Sequence, residues 1–396
     1  GISSINGTTS ITTDAVAFDV YDYTAGGYAV PTVNVNTTGT IAGKIEVSET
    51  ATLNISAGTF TVEIAEAWCV DGYIPVKNAD NTWSVVPGKF IAQVNGVKYP
   101  SLAAAVEAAQ AGETVTLLGD ATGAGVVINK DITIDFGGYI YSFNEGVGSG
   151  SLTSNGFQLL QGNDVVLKNG GLKVADADAS EFYILVQNYT NLTVEDMTLD
   201  GTNLDKWSAT DGDSYVLSNN SGNVSITGNT IITANDQGDK AFAFDACKYA
   251  SYDAPVVTLG ENVTVNGNVE LNGGQIYHTQ TINGVAKKSF KGGQSYWGTI
   301  STPIANAVIP EAAAGRHDLY RFDEPTMMWN YYYDGQNDYT KLELGRGYLY
   351  ANTHDITVEL NGAFNVSDVQ FPLSYTESNV LAGFNMIGNP FSYNIT

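Results

Sequence analysis

Residues 191–201, NLTVEDMTLDG, constrain the fold more than any other stretch. Leu192, Val194, Met197 and Leu199 are apolar, whereas Thr193, Glu195, Thr198 and Asp200 are polar. Alternation with period two marks a strand with one buried face. The two runs flank Glu195-Asp196, a pair that continues a strand poorly. Two short strands joined at a corner, with no hairpin turn, make one coil of a solenoid. A helix would need a sustained three- and four-residue apolar spacing, which is missing.

The same grammar recurs. Residues 163–174 read NDVVLKNGGLKV, 223–232 read NVSITGNTII and 262–271 read NVTVNGNVEL. TLNISAGTFTV at 52–62 is an earlier copy, and DITIDF at 131–136 supplies half of another. Each opens on a polar residue, often Asn, followed by apolar-x-apolar, a Gly, Asn or Asp corner, and apolar-x-apolar again. Starts recur roughly every 27 to 40 residues, more than a minimal coil needs, so loops project between some strands. The pattern resembles the right-handed parallel β-helix family typified by pectate lyases and related surface proteins, over most of residues 52–271. The resemblance implies a fold; such coils serve enzymes, adhesins and stalks alike.

Residues 90–100, FIAQVNGVKYP, predict a hairpin turning at Asn95-Gly96. Ser101 then caps the Ala-rich segment SLAAAVEAAQAG, which Gly112 ends. A short helix feeding GETVTLL resembles the amino-terminal cap of parallel β-helices, which covers the apolar cross-section and strand edges of a first coil. Upstream, residues 71–86 carry a hairpin pattern around the turn cluster at 78–81. Its phrase GYxxVxNxDxTWxVVP resembles one found in repetitive surface proteins of gut bacteria. From Ser289 onward the grammar changes and aromatics crowd in, among them Trp297, Tyr320, Trp329, Tyr331, Tyr332, Tyr333 and Tyr339. The phrases WGTISTP, GRGYL and GFNMIGNPF resemble β-sandwich modules of secreted Bacteroidetes proteins. The expected fold is therefore all-β: a right-handed parallel β-helix with a short N-terminal cap helix, plus a C-terminal antiparallel β-sandwich. The expected domains are a β-repeat region at 1–88, the β-helix at 89–288 and the sandwich module at 289–396.

Seventeen Lys and Arg face 42 Asp and Glu, a net charge of −25. Nucleic acid and anionic membrane surfaces would be repelled, so neither is an expected partner. No run is long enough for a membrane span, and no signal peptide is visible. Forty-three Gly with only 15% charged residues suits a secreted or cell-surface protein. Gly1 falls within an apparent repeat, so a mature or cut chain is expected. Cys69 and Cys247 lie far apart and read as small buried hydrophobes rather than a disulfide.

A β-helix lyase needs clustered carboxylates for Ca²⁺ and an Arg or Lys base in one groove. The arginines, Arg316 and Arg346 among them, lie C-terminal to the coils. A hydrolase would use paired acids, for which VADADAS (Asp176, Asp178), Asp205 and ATDGDSY (Asp211, Asp213) offer material. Solvated turn carboxylates explain the same residues, and loop-bound calcium is a third reading. His278, His317 and His354 are isolated, with no zinc spacing, and GxSxG does not occur. No catalytic residue, transition metal or cofactor is therefore expected. The candidate ligand-binding residues are Trp207 and Tyr215, whose rings could stack on a sugar, with Asp205, Asp211 and Asp213 as acceptors for its hydroxyls. The terminal aromatics around Trp329 are the competing surface. The expected role is adhesin-like or structural, with loops presented to a glycan or protein surface. The alternatives are a polysaccharide lyase or glycoside hydrolase in the β-helix groove, and a subunit that associates with itself or other surface proteins.

Overall fold

The computed structural model describes residues 1–148, 153–176, 182–205, 213–235, 240–293, 295–309, 317–332, 341–378 and 380–395. The chain is all-β, with several sheets, and divides into two compact units, Gly1–Ala105 and Val106–Thr396.

In the first unit, the strands Ile2–Gly7, Thr32–Val47 and Thr52–Phe60 pair in parallel, and Ile11–Val20 also pairs with Thr32–Val47. Apolar positions line up across the register, Ile5 with Val35 and Val35 with Ile55. Val35, Ile41, Ile55 and Phe60 are wholly buried. Asn54 donates to Asn34 Oδ1 at 3.0 Å, so polar positions also stack from strand to strand. The strands Tyr73–Lys77 and Trp83–Pro87 form the first predicted hairpin. Ala92–Val94 and Val97–Tyr99 form the second, with Asn95 and Gly96 both at positive φ, as a two-residue primed turn demands. Ser101 Oγ accepts the Ala104 amide at 3.1 Å and starts the helix Leu102–Ala108, within which the first unit gives way to the second.

In the second unit, two long parallel ladders follow the repeats. One runs through Thr114–Leu117, Ile132–Asp135, Asp164–Val174, Asn191–Asp200, Asn223–Thr227, Val256–Leu259 and Gln275–Tyr277. Its register stacks Ile132, Val165, Leu192, Val224, Val257 and Ile276 in one column. A second column holds Val115, Ile134, Leu167, Val194, Ile226 and Leu259. Every member of both is buried. Each such side chain contributes about 1.5–3 kcal/mol on leaving water. The corners fall where expected: Asn169 and Asp196 occupy equivalent positions, both left-handed at φ 59° and 51°. Asn and Asp tolerate that conformation better than other non-glycine residues.

The other ladder is an eight-stranded sheet that includes Asn155–Leu159, Ile184–Asn188, Ser214–Asn219, Ala241–Cys247, Asn268–Asn272 and Asn283–Phe290. Nearly every residue of its central strands is buried, so both faces are covered. Its last strand, Ile356–Ala363, comes from the C-terminal region and pairs antiparallel with Asn283–Phe290. The rest of that region forms a four-stranded antiparallel sheet ordered Gly298–Ile300, Tyr348–Asn352, His317–Asp323, Met328–Tyr331. Near the chain end, Ile276 donates its amide to the Ser392 carbonyl at 2.9 Å, and Tyr393 stacks on Tyr277 at 4.5 Å. The tail therefore covers the last strand of the first ladder.

Candidate functional site

The eight-stranded sheet carries acids where its burial should forbid them. Register aligns Gln158 with Gln187, Gln187 with Ser218, and Asp245 with Glu270. All five are buried. Buried polar groups are tolerated when they are hydrogen-bonded, and Gln187, Ser218 and Asp245 are linked to one another, whereas Gln158 Oε1 is buried without a partner. Gln187 Nε2 donates to Ser218 Oγ at 3.3 Å, and the Ser218 hydroxyl donates to Asp245 Oδ2 at 3.1 Å. The Asn219 amide donates to Asp245 Oδ1, and Asn219 Nδ2 to the Asp245 carbonyl at 2.9 Å. Burial pushes the Asp245 carboxyl well above the usual aspartate range, the Asn219 amide opposing and Glu270 reinforcing the rise.

Lys287, which bonds Glu270, also lines a groove of about 800 Å³ whose lining includes Asp213, Lys240, Phe242, Asn268 and Glu359. Lys287 stands opposite Glu359 in the antiparallel register. Its ammonium lies 3.0 Å from Glu270 Oε2 and 3.6 Å from both Asp213 Oδ2 and Glu359 Oε1. Burial works against the charged lysine, yet the attraction of Glu270, Asp213 and Glu359 outweighs it and raises Lys287 above the usual range. Tyr215 donates its hydroxyl to Glu270 Oε2 at 2.9 Å, with Asp213 Oδ2 at 3.2 Å. Burial, then the neighbouring Glu270, Asp245 and Asp213, push its phenol upward, so it remains a donor. The Tyr215 ring stacks on Phe242, centroids 5.3 Å apart, and the Lys287 ammonium stands 5.8 Å from the Phe242 centroid.

Of the residues singled out from the sequence, the structure brings Asp213 and Tyr215 together, as partners in this network. Tyr215 is half-buried against Phe242 and Glu270. Asp205 is half-buried, and its amide donates to the Phe182 carbonyl at 2.7 Å. Trp207 and Asp211 lie outside the described residues, as do Asp178, Arg316, Tyr333 and Tyr339. Asp245, Glu270, Lys287 and Glu359 carry no motif that marks them in the sequence. One signal was available: an acid inside the otherwise apolar run AFAFDAC must have partners. In the C-terminal sheet, Trp329 packs on Phe322 and Tyr331 stacks on Tyr320, while Tyr332 meets His317.

Both cysteines are free; burial raises the Cys247 thiol to about 12 and that of Cys69 to about 11, far from thiolate chemistry. Among the described residues no group of three or more His, Cys, Asp or Glu is arranged to hold a metal ion, and no helix is long and apolar enough to cross a membrane. Comparison with protein-family models, curated proteins and solved structures returns no match for this chain.

Proposed function

We propose that this chain is a non-catalytic, adhesin-like scaffold displayed outside the cell. In this reading its repeats wind as a right-handed parallel β-helix, capped by the helix Leu102–Ala108 and followed by a sandwich-like C-terminal module. The groove beside Tyr215 is its glycan-contact site. The observation that carries the reading is the pairing of the acids. Glycoside hydrolysis needs a protonated and an ionised carboxyl that both reach the sugar. Here Asp245 is sealed in the sheet, Glu270 is occupied by Tyr215 and Lys287, and the two acids that do line the groove, Asp213 and Glu359, both pair with Lys287 at 3.6 Å. What faces the groove is a mixed set of donors and acceptors, Lys240, Asn268, Asn283 and Asn361 among them. Such a lining suits the hydroxyls of a sugar.

The test is a glycan array with the whole chain, paired with a reducing-sugar and unsaturated-product assay on the ligands found. Binding without product release is expected, and Asn361→Leu should weaken it about tenfold, the loss of one or two hydrogen bonds. Steady release of product from any bound glycan would replace the reading with the lyase or hydrolase alternative.

A further inference from the structure

The first unit carries three tyrosines in the open. Tyr21, Tyr23 and Tyr28 are 62%, 56% and 68% exposed. They form a row, with Tyr21 and Tyr23 centroids 6.3 Å apart and Tyr23 and Tyr28 stacked at 6.0 Å. Exposed rings on a loose loop would need no explanation, but this loop is tied down. The Asp22 amide donates to Ser48 Oγ at 3.0 Å, and the Asp22 carboxylate accepts the Thr24 amide at 2.9 Å and the Thr50 hydroxyl. Thr24–Gly26 is a turn of 3₁₀ helix, closed by the Gly27 amide on the Thr24 carbonyl at 2.9 Å, with Gly27 left-handed at φ 84°. Gly26 is equally specific: a β-carbon there would come within 2.4 Å of the Tyr23 ring. The turn thus holds the three rings in line while each tyrosine stays more than half exposed, a cost in apolar exposure that only a partner recovers.

We propose that Tyr21, Tyr23 and Tyr28 form a stacking platform for an extended, uncharged polysaccharide. The spacing between successive rings is close to the rise of one sugar residue along an extended chain. The apolar faces of equatorially substituted pyranoses fit flat aromatic rings, and phenol hydroxyls at the rim bond the sugar hydroxyls. Asp19 and Asp22 bracket Tyr21, and the whole chain carries −25, so uronate and sulfated polymers are repelled. The platform is separate from the groove beside Tyr215 and is tested separately from it.

The experiment is native affinity electrophoresis of the whole chain in gels containing hydroxyethylcellulose, mixed-linkage β-glucan, glucomannan or polygalacturonate. Retardation by at least one of the three neutral polymers, and none by polygalacturonate, is expected. Tyr23→Ala should weaken it about tenfold and Tyr23→Phe less than about twofold, because stacking and not the hydroxyl dominates. Gly26→Ala, which keeps all three tyrosines but displaces a ring, should weaken it as well. Asn361→Leu, in the groove, should leave this retardation unchanged. Unchanged melting temperatures exclude unfolding of the variants. Absence of retardation by every neutral polymer, or retardation that survives replacement of all three tyrosines by alanine, overturns the proposal. So does tyrosine-dependent self-association in sedimentation without any glycan binding, which would assign the rings to a protein contact.

Discussion

The two parallel ladders of the second unit differ in chemistry. In the ladder through Asn191–Asp200, alternate residues are buried and the others meet solvent. In the sheet through Ser214–Asn219 and Ala241–Cys247, both sets are buried, and one set includes Ser218 and Asp245. The first is stabilised mainly by its buried apolar columns, with exposed hydrogen bonds along its outward edge. The second adds a polar column in which Gln187, Ser218 and Asp245 bond from strand to strand, and Lys287 joins Glu270 to the groove. A sheet closed on both faces can thus carry acids, provided that they meet partners on the next strand. The difference explains why the buried acids gather in one sheet of the second unit.

The largest expected effects separate the two ladders by what a truncation leaves behind. Phe244 is fully buried in the doubly covered sheet, so Phe244→Ala should cost about 3–5 kcal/mol. Ser225→Ala, on the outward face of the alternating ladder, should fall within about 0.5 kcal/mol. Denaturant melts of both variants check the contrast. Equal costs would mean that the two ladders are covered alike.

The polar column should set the pH response. Asp245 is raised in the folded protein, so the native state holds its proton where the unfolded chain has lost it. Stability then falls as pH rises above the ordinary aspartate value of 3.8, by about 1.4 kcal/mol per pH unit, and levels off above the folded value. Asp245→Asn keeps the shape, can still accept the Asn219 amide, and can donate to Ser218 if that hydroxyl turns round. The variant should be the more stable protein at neutral pH, with a flatter pH profile. A variant that is less stable at neutral pH, or as pH-dependent as the parent, would show that Asp245 is ionised in the fold.

The alternating ladder was legible in the sequence because its burial has a period. The corners were legible too, since Asn169 and Asp196 are residues that accept positive φ. So were the hairpins, marked by Asn95-Gly96 and the turn at 78–81. The doubly buried sheet was harder to read. Its strands do not alternate, and ILVQN or SYVLSN gives no sign of which side faces the interior. The candidate site was less legible still. Asp213, Asp245, Glu270, Lys287 and Glu359 meet through stacking of successive strands and one antiparallel return, and no spacing along the chain encodes that. The antiparallel pairing of Asn283–Phe290 with Ile356–Ala363 joins segments far apart in sequence, a tertiary fact that composition cannot supply.

A smaller effect belongs to the corners. Asp196 sits left-handed, and its Oδ1 accepts the Asn229 amide of the next repeat at 2.8 Å. Asp196→Val should cost about 1–2 kcal/mol for forcing a branched residue into that conformation, plus the lost bond. Asp196→Gly relieves the strain but not the bond, and should cost less. If the two substitutions cost the same, the hydrogen bond is the whole contribution.

The smallest effect tests the outward edge of the alternating ladder. Asn191 Oδ1 accepts the Asn223 amide at 3.0 Å, while Asn191 Nδ2 donates to Asp164 Oδ1 at 2.8 Å. One rung earlier, Asp131 Oδ1 accepts the Asp164 amide at 2.8 Å. At Asp131, Asp164 and Asn191 the residue before or at the start of the strand thus bonds the rung above or below, which gives a physical reason for Asn and Asp there. These bonds are exposed, and water competes for both partners, so Asn191→Ala should cost only about 0.5–1.5 kcal/mol. Asn191→Asp keeps the acceptor for the Asn223 amide but sets two carboxylates side by side. It should cost more than alanine at low salt and approach it at high salt, as screening removes the repulsion from Asp164. A salt-independent difference between the two variants would show that the asparagine contributes through shape and not through its paired donor and acceptor.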